Sequence, residues 1–132
     1  MKSLSIFICA LCLLSFTGQG PDPIIGTWKG TSLCQVKNSP CHDETAIYHA
    51  MKSTDGKTYP FQMNKMVNGK EEEMGLLNFI YDATTKTLTA ENTGRGGMKA
   101  LWKFKVDGKK IHGTLTMSDG TLYRIIEIQK TD

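Results

Sequence analysis

The sequence lacks most of the short signals that point to a particular chemistry. It contains no Gly-x-Ser-x-Gly and no His-Glu-x-x-His motif, so neither a nucleophile elbow nor a helical zinc-protease site is indicated. It also lacks a strong charge imbalance, with 16 basic and 13 acidic residues, and its basic residues are scattered. Nucleic-acid binding needs clustered basic residues, commonly with aromatic side chains between them, so we expect no nucleic-acid partner.

Long apolar runs are also scarce, and the one that is present lies at the amino terminus. A positive start at Lys2 is followed by apolar residues from Leu4 to Leu14 and then by small, mostly polar residues up to Gly20. This order is typical of a secretory signal peptide, and the run is too short for a comfortable membrane span. We therefore predict a signal peptide at 1–20 and one exported domain, secreted or periplasmic, at 21–132. An uncleaved amino-terminal anchor is the alternative.

Cysteine is nearly absent from the predicted mature domain. Two of the four cysteines lie in the apolar run and would leave with it, so only Cys34 and Cys41 remain. An oxidising compartment favours a disulfide between them, and the residues between them include turn formers. The competing hypothesis is a metal site shared with His42 and Asp43. That spacing matches no common zinc signature, so we predict a disulfide and no metal site.

Turn signals divide the rest of the chain at regular intervals. Asn-Gly and Asp-Gly steps favour tight hairpins, because both central residues of such turns need positive φ angles. Cutting the chain at these steps and at the other turn signals leaves eight segments, at about 25–33, 43–52, 58–67, 71–81, 86–91, 98–106, 109–117 and 121–130. The sequence therefore predicts an all-β fold, an eight-stranded antiparallel up-and-down β-barrel, with no substantial helix after the signal peptide.

The alternation of apolar and polar residues supports this fold and isolates one unusual arginine. In the last segment Arg124 shares the apolar face with Ile126 and Ile128. A buried arginine needs a desolvated, electron-rich partner, and a tryptophan face is the best one. The first and last strands of a closed barrel are neighbours. We therefore expect the Arg124 guanidinium to lie on the ring of Trp28.

The motif around Trp28 resembles that of a known superfamily. Gly26 and Gly30 flank Trp28, and together with Arg124 this is similar to the calycin superfamily and to lipocalin-like proteins in particular. Their first strand carries Gly-x-Trp, and their last strand carries an arginine that packs on that tryptophan. The opening Ile25–Lys29 also resembles that of fatty-acid-binding proteins. Those proteins insert two helices where this chain has its short cysteine loop, so that branch is disfavoured.

The resemblance implies a barrel that encloses a small ligand. We expect a non-catalytic protein that binds one small apolar or amphipathic molecule, with no cofactor and no stable membrane span. The candidate lining residues are Trp28, His49, Met63, Met98, Trp102, Phe104, Leu115 and Met117. The candidate rim residues, next to the cysteine loop, are His42, Asp43 and Glu44.

Two other functions are compatible with the same sequence. The first is a barrel filled by its own side chains that binds an unknown protein partner through the cysteine loop and through a surface near Leu77, Phe79 and Tyr81. The second is an enzyme or a haem protein centred on His49 or on the cluster from His42 to Glu44. That function predicts a polar pocket that holds a titratable group with a perturbed pKa.

Overall fold

Eight antiparallel strands form a closed barrel in the computed structural model, which describes residues 22–132. The predicted signal peptide lies outside the described residues. The strands are β1 (Gly26–Cys34), β2 (Glu44–Ala50), β3 (Thr58–Val67), β4 (Lys70–Asp82), β5 (Thr87–Thr93), β6 (Lys99–Asp107), β7 (Lys110–Met117) and β8 (Leu122–Lys130). The predicted fold is confirmed, and each strand starts and ends within two residues of its predicted segment. None of the helical structure in residues 22–132 is long and apolar enough to cross a membrane.

Short loops connect the strands in chain order. Asn68 and Gly69 join β3 to β4 with φ angles of 50° and 77°. Two successive positive φ angles match the twist of the flanking strands, which explains the Asn-Gly step. In the β2–β3 loop the Asp55 carboxylate accepts hydrogen bonds from the N–H groups of Lys57 and Thr58. These bonds hold the pKa of Asp55 well below its usual range and fix the turn before β3.

Aromatic side chains fill the middle of the barrel. The Phe79 ring lies 4.7 Å from the Phe61 ring and 4.7 Å from the Phe104 ring, measured between centroids. The Tyr48 ring stacks on Phe104 at 6.2 Å. Alternate residues of each strand face the interior, and each of these four residues occupies one of the inward positions of its own strand. We call these four residues the aromatic layer, which divides the interior into two ends.

One end of the interior is covered by the residues that precede β1. Ile24 is fully buried there, and its carbonyl accepts a 2.9 Å hydrogen bond from the Trp28 indole N–H. The Asp22 carboxylate accepts hydrogen bonds from the Tyr59 hydroxyl at 2.7 Å and from the Ile24 N–H at 2.8 Å. We call this the closed end. The opposite end, where β1 finishes and β2 and β8 begin, is the open end.

Two glycines allow close approaches that no other residue could make. A Cβ atom on Gly30 would lie 2.0 Å from the backbone oxygen of Glu127, so β1 and β8 can cross here only with glycine on β1. A Cβ atom on Gly113 would lie 2.4 Å from the Phe104 ring. The missing side chain of Gly113 therefore leaves room for the Phe104 ring of the aromatic layer.

The β4 residues that we expected on a surface for a protein partner point into the barrel instead. Phe79 is fully buried, and Leu77 and Tyr81 pack against the core from the same inward face. The exposed apolar residues are instead Leu76 and Ile80, which lie on the outer face. The expected surface near Leu77, Phe79 and Tyr81 is therefore wrong by one residue, because alternation alone does not say which of two apolar faces points inward.

Candidate functional site

Two adjoining recesses at the open end form the candidate site. The first has a volume of about 340 Å³, and its lining consists of Asn92, Gly94, Ala100, Trp102, Leu115, Met117 and Tyr123. The second has a volume of about 360 Å³ and is lined by Met63, Met74, Gly75, Leu76, Leu77, Asn92 and Trp102. Trp102 and Asn92 belong to both, so the indole lies between the two recesses.

The alternation on β6 builds the floor and the wall of the first recess. Ala100, Trp102 and Phe104 all point inward, and the small side chain of Ala100 leaves space above the indole. The Trp102 indole N–H donates a 3.0 Å hydrogen bond to the Asn92 side-chain oxygen, which fixes the ring. The Phe104 ring lies 6.3 Å below and closes the recess towards the aromatic layer. The result is an apolar concavity with one polar group on its wall.

A network of charged and polar groups also lies inside the open end. The Arg124 guanidinium donates hydrogen bonds to the backbone oxygens of Ser32 at 3.1 Å and His42 at 3.0 Å. Its second terminal nitrogen lies 3.4 Å from the Glu44 carboxylate, and the Lys65 ammonium lies 3.9 Å from the same carboxylate. Two cations therefore face one carboxylate, so the network carries a net positive charge.

Tyr48 links this network to the aromatic layer. Burial raises the pKa of its hydroxyl to about 12, since the phenolate would lose its hydration, while a hydrogen bond with Ser32 acts in the opposite direction. The Glu44 carboxylate raises the pKa further, and Arg124 lowers it. The hydroxyl is therefore neutral at physiological pH and can act as a hydrogen-bond donor inside the open end.

The expected stacking of Arg124 on Trp28 is wrong. Trp28 lies opposite Lys130 in the β1–β8 ladder, whereas Arg124 lies opposite Cys34 at the other end of β1. Antiparallel neighbours run in opposite directions, so the start of β8 meets the end of β1. The guanidinium instead lies 5.8 Å from the centre of the Tyr123 ring. Alternation indicated the inward face of Arg124 correctly but not its height in the barrel.

The structure brings together four of the eight expected lining residues. Met63, Trp102, Leu115 and Met117 border the two recesses. The other four lie elsewhere. Trp28 is fully buried at the closed end, Phe104 is part of the aromatic layer and Met98 is exposed. The fourth is His49.

His49 faces outward, contrary to the expectation that it lines the interior. Tyr48, beside it on β2, points into the core, so His49 points away from it. Its Nδ1 atom lies 3.1 Å from the Thr27 hydroxyl oxygen, and its Nε2 atom lies 2.9 Å from the Glu71 carboxylate. The structure therefore offers no interior histidine on β2 for a ligand or for haem.

The predicted disulfide between Cys34 and Cys41 is confirmed. It holds the loop that carries the candidate rim residues at the open end. The Asp43 carboxylate accepts a 2.8 Å hydrogen bond from the Cys34 N–H, and the His42 side chain is exposed. Glu44 points inward to Arg124. No group of three His, Cys, Asp or Glu residues in the described part of the chain is arranged to hold a metal ion.

Sequence reasoning missed several residues of the candidate site. Asn92 and Lys65 occupy inward positions that alternation along β5 and β3 could have revealed, since they follow Ala90 and Met63 by two residues. Tyr123 had no such signal, because a register irregularity between β7 and β8 places it at the open end.

No family model, curated protein or solved structure matches this chain.

Proposed function

We propose that this chain is an exported, lipocalin-like protein that binds one small amphipathic molecule at the open end of its barrel, without catalysis. The observation that supports this proposal most directly is the pair of recesses on either side of Trp102. Their volumes of about 340 and 360 Å³ suit a small ligand, since ligand pockets start at about 300 Å³. The aromatic layer limits the depth to which such a molecule can enter.

The lining of the recesses suits the apolar part of the ligand. Trp102, Leu115 and Met117 supply apolar surface around the first recess, and Met63 extends it into the second. Methionine adapts to irregular shapes, so the three methionines of the lining, Met63, Met74 and Met117, make the site tolerant of different ligand bodies. Asn92 is a polar side chain that both recesses share, and its amide is oriented by the Trp102 indole.

The charged network suits a polar or anionic group on the ligand. The Arg124 guanidinium is held by backbone oxygens and by Glu44. It therefore acts on the ligand through its positive charge rather than by moving to contact it. Lys65 lies too far from Glu44 for a hydrogen bond, at 3.9 Å, and its side chain is partly exposed. Its ammonium therefore has donors available for a carboxylate or a sulfonate.

The cysteine bridge supports export. Disulfides persist in oxidising compartments and are rare in the cytosol. A signal peptide at 1–20 would deliver the chain to such a compartment, and the bridge between Cys34 and Cys41 would then form there. The export of the domain and the kinship with lipocalin-like proteins are both parts of this proposal.

A titration of the oxidised protein with 1-anilinonaphthalene-8-sulfonate tests the proposal, because this probe combines an apolar body with an anionic group. We expect saturable fluorescence at one site. The variant Ala100→Trp fills the first recess and should abolish binding, whereas Leu101→Trp, on the outer face of the same strand, should not. Near-ultraviolet circular dichroism confirms that both variants are folded. A folded protein without saturable binding, or unchanged binding by Ala100→Trp, contradicts the proposal.

One observation favours a second function, a protein-interaction module. The aromatic layer fills the middle of the interior, so this part of the core is packed without a ligand. Leu76 and Ile80 are apolar side chains on the outer surface of β4. In that case the probe would show no saturable binding, and the partner would contact the outer surface.

A further inference from the structure

The ladder between β4 and β5 stops early. Only three pairs form, Ile80 with Thr89, Tyr81 with Leu88 and Asp82 with Thr87, although β5 continues to Thr93. In contrast, β3 and β4 form ten pairs. If the ladder continued in the same register, Asn78 would pair with Glu91 and Leu76 with Thr93. The three pairs close the barrel, but the ladder between β4 and β5 is absent over this stretch.

The free backbone groups along this opening can be assigned to individual residues. The Tyr81 N–H donates to the Lys57 oxygen on the β3 side. Successive residues of a strand present their backbone groups to opposite neighbours, so Leu76 and Asn78 present theirs to the β5 side. Within residues 22–132, neither Leu76 nor Asn78 forms a ladder pair with β5 on that side. The β4 edge is thus a free strand edge.

Apolar side chains flank this edge on both faces of the sheet. Leu76 and Ile80 are 53% and 59% exposed on the outer face. A recess of about 310 Å³ lies beside them, lined by Asn78, Ile80, Thr89, Ala90, Glu91 and Leu101. On the inner side the edge borders the recess that contains Met63 and Trp102. We call the opening between residues 75–79 of β4 and residues 90–93 of β5 the slot.

The slot differs from the rest of β4 in how it is protected. Natural proteins protect free strand edges with charged residues and bulges. The first residues of β4 follow this rule, because Lys70–Glu73 are all charged and a register irregularity lies between Met63 and Asn64 on β3. Residues 75–79, Gly-Leu-Leu-Asn-Phe, contain no charge. The protection therefore ends where the slot begins.

We propose that the slot binds an extended polypeptide segment of a partner protein, which adds as a strand to β4. An extended backbone supplies donors and acceptors at the spacing of Leu76 and Asn78, which a lipid chain cannot do. Successive side chains of the segment would face the inner and the outer apolar surface in turn. Glu72 and Glu73 lie just before the slot, and no ion pair of either is present in the described part of the chain. They favour lysine at the carboxyl end of an antiparallel segment.

A second copy of this chain fits the slot less well. The residues of β4 that do not pair with β5 are 70–79, and two such edges paired antiparallel about their midpoint would place Glu72 and Glu73 opposite Leu77 and Leu76 of the other copy. The two carboxylates would then face no partner of opposite charge. A partner segment with lysine at these positions supplies that charge.

Fluorescence anisotropy with the fluorescein-labelled peptide Thr-Val-Thr-Val-Lys-Lys tests the proposal on the oxidised protein. We expect saturable binding with one peptide per chain. The peptide Thr-Val-Thr-Val-Glu-Glu should bind at least about tenfold more weakly, because its charges repel Glu72 and Glu73. A third peptide, N-methylated at alternate residues to remove the edge donors, should not bind. Equal binding by all three peptides, or no binding by the first, overturns the proposal.

Protein variants place the contact at the slot. Asn78→Pro removes an N–H that faces the slot and no bond to β3, so the barrel should fold and peptide binding should fall at least about tenfold. The double variant Glu72→Lys with Glu73→Lys should prefer the acidic peptide, and it replaces the proline variant if the latter does not fold. Both variants should still bind anilinonaphthalene sulfonate, so failure of this proposal is distinct from failure of the proposed function. Peptide binding that is unchanged in both variants, or chain dimers that Asn78→Pro disrupts, overturn it.

Discussion

The two ends of the barrel differ although the same eight strands build both. Each end holds one of the two tryptophans of the sequence, Trp28 at the closed end and Trp102 at the open end. Trp28 is 0% exposed and donates its N–H to a backbone oxygen of the covering segment. Trp102 is 9% exposed, and its N–H is bound by a side chain between two recesses. The interior is therefore filled at the closed end, whereas the open end keeps the two recesses that the proposed function requires.

The polar groups divide between the ends in the same way. At the closed end, Asp22 and Tyr59 join the covering segment to β3. At the open end, Arg124, Glu44 and Lys65 form a network with excess positive charge inside the barrel. A buried charge is costly unless it is paired, so the open end gives up stability that an apolar core would provide. Such a cost is expected where a site must remain polar.

The largest effect should come from the tryptophan of the closed end. We expect Trp28→Ala to lower the free energy of unfolding by about 3–5 kcal/mol, as large core truncations do. Trp102→Ala should cost less, because part of its ring borders a recess, but it should abolish probe binding. Urea unfolding of both variants measures the difference. A larger loss in Trp102→Ala would contradict the assignment of the two ends.

The next largest effect concerns Arg124. Replacing it with methionine leaves buried backbone oxygens and the Glu44 carboxylate without their main partner, so we expect a loss of about 3 kcal/mol. Lys65→Met removes a more distant and more exposed charge and should cost less than about 1 kcal/mol. Urea unfolding of the two variants at pH 7 compares them. Similar losses would show that the network is not centred on Arg124.

The disulfide should contribute a smaller amount. Opening the loop between Cys34 and Cys41 by the double substitution to serine should lower the free energy of unfolding by about 2.5 kcal/mol, from loop entropy. The loop also holds His42 over Arg124, so probe affinity should fall together with stability. Parallel urea and probe titrations of the oxidised protein and the variant measure both quantities. Unchanged affinity would separate the loop from the site.

The smallest effect on the free energy of unfolding at neutral pH comes from the buried tyrosines at the two ends. At alkaline pH their effect becomes measurable. Burial raises the pKa values of Tyr48 and Tyr59 to about 12, so the folded state favours their neutral form. Their contribution to stability is complete below pH of about 10, where unfolded tyrosine begins to ionise, and is lost as pH rises through about 12. The free energy of unfolding should therefore fall less steeply in Tyr48→Phe over this range. Identical slopes would contradict the burial of this hydroxyl.

The fold could be predicted from sequence because its signals are local. Turn steps such as Asn68-Gly69 and the alternation on β6 need only neighbouring residues, and both were interpreted correctly. The position of Arg124 along the barrel depends on the register of two strands that are distant in sequence. The face of His49 cannot be read from the sequence, because Ile47, which is in step with it on β2, is also buried. The early end of the β4–β5 ladder had no sequence signal at all.

The most direct test of the account uses the indole N–H signals of the two tryptophans. In a ¹⁵N-labelled sample, each signal is assigned with the variants Trp28→Phe and Trp102→Phe, and the protein is then titrated with anilinonaphthalene sulfonate. We predict that the Trp102 signal shifts saturably while the Trp28 signal stays in place, because only Trp102 borders the recesses. A shift of Trp28, or a folded protein in which neither signal moves, would contradict ligand binding at the open end.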